Sequence, residues 1–214
     1  MNKIKIEPVK LYNGCILAAI VHAVMVGEYP ELNYEHSWDG INYNMNNGQG
    51  CRATITFHSK HIVAVFQNME DFRERKETFD YFRGASKEII EIAKKEALQY
   101  VLEDINGIVQ PVITGAFWGD WERLFSNQTW DNFMEAGGFI LQNQMLDYQN
   151  ALIAWDDYYG FNNEQLSLID SLYQKKRYPN SDAIQLNKDE IKYLYGDIEE
   201  CREALGELHI YFGT

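Results

Sequence analysis

Between residues 34 and 68 the side chains alternate with a period of two, and no other feature constrains the fold as tightly. Tyr34, His36 and Trp38 fall on one face, and Ile41 and Tyr43 resume the alternation after the turn dipeptide Asp39-Gly40. Residues 53–58 and 61–67 are runs of β-branched and aromatic side chains separated by Ser59-Lys60, the length of a tight hairpin. The spacing predicts an antiparallel meander of three or four strands. Residues 44–50, rich in Asn and Gly, are expected to be loop.

The remainder reads as mostly helical. An apolar run over residues 11–26 predicts a buried core helix closed by Pro30, whose ring cannot continue it. Before it, Ile4, Ile6 and Val9 alternate with charged residues and predict a short strand. Lys3, Lys5 and Lys10 ahead of that run imitate a secretory signal, but Glu7 interrupts the basic region and His22 the apolar one. Residues 69–83, which include Phe72, Phe79 and Phe82, are expected to be helix or ordered loop. Ser86 is placed to cap an amphipathic helix carrying Ile89, Ile90, Ala93, Ala97 and Val101, with Asn106-Gly107 as its stop. Residues 111–121 resist assignment. Apolar groups at helical spacing then predict helices over residues 130–159, divided at Gly137-Gly138, and over 163–176 up to Pro179-Asn180. A further helix, interrupted near Gly196, is expected over 189–205, with a closing strand at 209–212. Together these predict an α+β fold: a β-meander in the N-terminal half packed against a largely helical, acidic C-terminal half. With no repeat and no linker, one domain over residues 1–214 is expected, any sub-boundary falling near 105–115.

Charge narrows the function classes. The net charge is −13, and it is uneven: residues 1–85 carry 9 basic and 10 acidic groups, residues 86–214 carry 10 and 22. Nucleic acids and anionic membranes are poor partners for such a surface, because phosphate binding needs clustered Lys and Arg. A basic protein is the better partner. Cys15, Cys51 and Cys201 are odd in number, far apart and without a CxxC pair, so neither a disulfide framework nor a zinc ribbon is implied. Reduced thiols predict a cytoplasmic location.

Four arrangements could carry chemistry. A Ser59-Lys60 turn would bring His58 and His61 face to face, with Cβ atoms about 5 Å apart; a metal site would then need a third ligand, for which His36 and Asp39 are the natural candidates. Gly48-Gln-Gly50 lacks both the lysine and the following helix of a phosphate loop, so no nucleotide cofactor is expected. Trp118, Asp120, Trp121 and Glu122 form the densest mix of aromatic and acidic groups; exposed, they would grip a cationic partner, and buried, the two indoles would plug the core. Asp156-Asp157 beside Tyr158-Tyr159 is the least bland of the carboxylate pairs, although neighbours on a helix diverge by about 100° and form no catalytic dyad alone.

No motif here is a family signature, and no nucleophile elbow is present. The expectation is therefore a non-enzymatic acidic module of the inhibitor, antitoxin or immunity type, with Trp118, Asp120, Trp121 and Glu122 as partner-binding residues and no cofactor. The alternatives are an enzyme, as a metal-assisted hydrolase using the His58/His61 region, and a structural subunit of a homo-oligomer.

Overall fold

The computed structural model describes residues 1–71, 73, 76–179 and 181–213. In chain order its elements are β1 (Asn2–Lys3), α1 (Pro8–Met25), β2 (His36–Asp39), β3 (Asn42–Asn46), β4 (Cys51–Phe57), β5 (His61–Asn68), α2 (Lys87–Lys95), β6 (Leu102–Ile105), β7 (Ile108–Pro111), β8 (Gly115–Asp120) and β9 (Leu124–Ser126). They continue with α3 (Trp130–Glu135), α4 (Tyr148–Tyr159), α5 (Asn163–Lys176), β10 (Ile184–Leu186), α6 (Lys188–Ile191), α7 (Ile198–Glu207) and β11 (Ile210–Phe212). The fold is α+β, as the patterning predicts. The chain divides into two compact units, one of residues 1–9 and 41–142, the other of 10–40 and 143–214. Residues 105–115 lie inside the first unit.

The first unit holds strands in the order β1-β9-β8-β5-β4-β3, every neighbouring pair antiparallel. The Ser59-Lys60 turn joins β4 to β5, with Phe57 opposite Ile62 as the last registered pair. Both faces of the central strands are covered. On one face Val63, Val65, Ala116 and Trp118 pack with Phe82, Ile89, Ala93 and Leu98. Elsewhere in the unit Phe66, Phe117 and Phe133 meet ring to ring at 5.0–5.9 Å. Burial on two faces explains why residues 62–66 form an unbroken apolar run, and why residues 115–119 show no period that sequence reasoning could use.

Four local expectations change. The N-terminal strand is only Asn2–Lys3, and Val9, expected on it with Ile4 and Ile6, already belongs to α1, which begins at Pro8. Residues 44–46 are strand rather than loop: they pair with residues 52–54 of β4, Asn44 accepts a hydrogen bond from Thr54 Oγ1, and Met45 is buried. The amphipathic helix does begin under a Ser86 cap, whose Oγ accepts from Ile89 N–H, but α2 ends at Lys95 and the chain continues as a 3₁₀ turn over Ala97–Tyr100. Asn106-Gly107 does not stop that helix. It is the two-residue turn of the β6–β7 hairpin, with φ of 55° and 83°, the left-handed pair that this dipeptide adopts most readily. Of residues 69–83, Thr78–Phe82 is a 3₁₀ helix, and Phe72 lies outside the described residues.

The second unit is largely helical. Its spine is α1, which is buried almost all round and is long and apolar enough to cross a membrane, with 83% of its residues inside the protein. That burial fits a core helix, the same reason an all-apolar circumference is tolerated. α4 and α5 carry side-chain N-caps, Asp147 accepting from Asn150 N–H and Asn162 forming a full capping box with Gln165. α6 and α7 are the two halves of the interrupted C-terminal helix. Gly196 between them has φ of +73°, and a Cβ there would lie 1.9 Å from the Gly27 carbonyl oxygen, so only glycine fits. The closing strand β11 pairs in parallel with β10. Asn180, part of the expected helix stop, is outside the described residues.

Candidate functional site

Two motifs far apart in sequence meet at one end of the sheet of the first unit. In the β5–β8 register His61 lies opposite Asp120. The rings of His58 and His61 stack across the hairpin, their centroids 6.2 Å apart and nearly parallel, so the two imidazoles do face each other. His61 Nδ1 lies 3.3 Å from the Gly119 carbonyl and Nε2 lies 3.3 Å from Glu88 Oε2. Trp121 lies flat against Phe57 and its indole N–H donates to the His58 carbonyl at 3.1 Å.

The partner-binding candidates separate under this geometry. Trp118, 2% exposed, belongs to the core and plugs it against Phe82, so it offers nothing to a partner. Trp121 keeps part of its indole accessible, Glu122 is exposed, and Asp120 organises the β8–β9 turn. Asp120 Oδ1 accepts from both Glu122 N–H and Arg123 N–H at 2.9 Å. The Glu122 N–H is the main reason that carboxyl is held below the usual carboxylate range, with Arg123 and His61 adding to it.

Beside this corner is a cleft of about 280 Å³ lined by His58, Glu88, Glu91, Ile92, Lys95 and Glu96. Its carboxylates are already engaged: Glu88 with His61, Glu91 with Lys94 at 3.1 Å, and Glu96 with Asn42 Nδ2 at 2.9 Å. Among the described residues no three His, Cys, Asp or Glu side chains converge in a way that would hold a metal ion. Neither of the proposed third ligands, His36 and Asp39, belongs to this unit. No family model, curated protein or solved structure matches this chain. Its chemistry is therefore read from its own side chains.

The densest set of buried ionisable groups is in the second unit, and sequence reasoning passed over most of it. His22, on α1, has Nδ1 3.1 Å from the Tyr159 hydroxyl. That hydroxyl lies 3.4 Å from one oxygen of Glu35, and the Tyr158 hydroxyl donates to the other at 2.7 Å. Tyr29 closes the set by donating to the Tyr159 carbonyl at 2.9 Å. The rings of His22 and His36 meet edge to face at 5.4 Å, and His36 meets Trp155 the same way. Burial pushes the His22 imidazole down to about 4 against a pull upward from the Asn33 backbone. Burial and the neighbouring His22 push His36 well below its ordinary value. Burial, and then Glu35, raise the hydroxyl of Tyr159. At neutral pH both imidazoles are uncharged members of an aromatic box. The signal for this cluster was slight: a single histidine inside an apolar helix, and the tyrosine pair after Asp156-Asp157.

Proposed function

We propose that this protein is a non-enzymatic, acidic protein-binding module of the inhibitor, antitoxin or immunity type, and that its partner is a basic protein. The observation that carries the reading is where the charge sits. The second unit has 17 acidic and 7 basic residues, a net of −10, while the first has 15 and 12, a net of −3. The excess therefore lies mostly in the second unit, as it lies mostly in the C-terminal part of the sequence. A unit with so large an excess of one sign sustains a negative potential that repels nucleic acid and attracts cationic protein surfaces over a screening length. Its effect falls on association rate and partner choice before it falls on affinity.

In the cleft beside His58 each of the three carboxylates named there already has a polar or cationic partner. The test is a tagged pull-down from the native host's lysate, washed at low and then high salt and read by mass spectrometry. One basic protein retained in near-equal amount and released by salt is the expected result. An empty pull-down contradicts the reading.

A further inference from the structure

The helices of the second unit are not held equally. α5 buries Leu168, Ile169, Leu172 and Tyr173 along its length. α4 buries Ala151, Trp155 and Tyr159, a single stripe of residues four apart. Two of those three belong to the histidine cluster. Trp155 meets the His36 ring at 5.4 Å and stacks on Tyr159, whose hydroxyl reaches His22 and Glu35. The Trp155 indole N–H, though buried, makes no hydrogen bond among the described residues, so ring contacts hold that side chain. The first turn of α4 is attached by other means: Tyr148 stacks on Tyr173 of α5 at 4.7 Å, and its hydroxyl donates to Asp170 at 2.7 Å. The C-terminal half of α4 therefore depends on the cluster in a way that its first turn and α5 do not.

That dependence is sensitive to charge. A proton on either imidazole places a cation where burial disfavours it, and a second proton places two like charges on rings whose centroids are 5.4 Å apart. The titratable groups facing the pair are Tyr29, Glu35, Tyr158 and Tyr159, with Tyr34 acting on Tyr158. Glu35 would favour an imidazolium, but its two oxygens already accept from the Tyr158 and Tyr159 hydroxyls. A histidine that reaches water carries no such penalty, so acid favours any conformation that exposes the pair. Burial lowers His22 from 6.5 to about 4, so the preference is absent above pH 6.5 and grows as pH falls toward 4. From His22 alone, an opening that frees the ring is favoured about 30-fold more at pH 5 than at pH 8. His36 acts in the same direction.

We propose that the His22–His36 pair is an acid-sensitive latch on α4: in mild acid the C-terminal half of α4 separates from α1 and residues 29–36 while α5 stays folded. The latch is independent of the acidic-module reading and adds a conformational response to pH. The test is amide hydrogen exchange of the full chain at pH 8 and pH 5, corrected for the intrinsic pH dependence of exchange and repeated in dilute urea. Protection over residues 152–159 is expected to fall about 30-fold or more between the two pH values. At pH 5 it is expected to lie at least about tenfold below that of residues 166–173 and to respond little to urea, as a local opening does, while exchange through global unfolding accelerates with urea. His22→Gln is expected to shrink the fall over 152–159 by about tenfold or more. His209→Asn, a change at an exposed histidine of the same unit, is expected to leave it unchanged. Should His22→Gln not fold, the wild-type comparison of α4 with α5 decides by itself. Equal protection of α4 and α5 at pH 5 with the same urea response means that acid unfolds the unit as a whole and overturns the latch. Protection over 152–159 that is indifferent to pH, or a fall that His22→Gln leaves intact, overturns it as well.

Discussion

Acid should unfold this protein earlier than its carboxylates alone would dictate, because its buried histidines are held neutral. His22 has its pKa lowered from 6.5 to about 4 by burial, so an unfolded chain binds a proton at pH 5 that the folded chain refuses. Above pH 6.5 neither state is protonated and His22 adds no pH dependence. As pH falls through 6.5 the unfolded state gains protons first, and folding stability declines until the folded pKa near 4 is reached. At 1.36 kcal/mol per unit the full loss is about 3 kcal/mol, of which about 2 kcal/mol has gone by pH 5. His36 acts in the same direction, since its pKa is also depressed. The His22 loss by itself is a large share of the 5–15 kcal/mol typical of a domain. The assay is urea unfolding at pH 7 and pH 5, on the wild type and on His22→Gln. The variant is expected to be less stable at pH 7, through loss of the Tyr159 contact, but to show a shallower decline between the two pH values. An equal slope in the two proteins, or a wild type indifferent to pH in this range, refutes the argument.

Alkali should be destabilising as well. Burial raises the thiols of Cys51 and Cys201 from 9.0 to about 11, so the unfolded chain loses these protons first and stability falls between pH 9 and 11, with each thiol resisting a disulfide reagent until the protein unfolds. Trp118→Ala is expected to cost about 3–5 kcal/mol in urea unfolding, as for other buried large rings, while Trp121→Ala, on a half-buried indole, costs distinctly less; equal losses would contradict the assignment of one tryptophan to the core. Gly196→Ala combines a left-handed backbone with a clash against the Gly27 carbonyl and is expected to cost more than about 2 kcal/mol, whereas the same change at Gly206, where a Cβ meets nothing, should be near neutral or stabilising.

What could be read from the sequence follows the range of the forces involved. The β4–β5 hairpin, the Ser86 cap and the bounds of α5 are set by neighbours a few residues away, and local pattern reports them faithfully. β8 was illegible because burial on both faces erases the alternation that marks a strand. The β6–β7 hairpin was misread because Asn-Gly ends helices and turns hairpins by the same left-handed geometry, and the apolar pattern of Ala97 and Val101 pointed to a longer helix. The interleaving of the two units depends on contacts between residues more than 100 positions apart, such as His22 with Tyr159, for which spacing gives no clue. The same distance hid the His22–Tyr159–Glu35 cluster. The meeting of His58 and His61 was legible, being local; that Trp118 lies inside the buried strand β8 while Trp121 falls in the turn after it could not be read, because the bounds of β8 were themselves illegible.

The central claim is that charge brings a basic protein to this one, and the association rate with the recovered partner tests it most directly. Stopped-flow mixing of the two purified proteins should be carried from about 10 mM salt, where the screening length is about 30 Å, to about 1 M, where it is about 3 Å. The account predicts an association rate that falls steeply over this range while dissociation changes far less. An association rate indifferent to salt would contradict it.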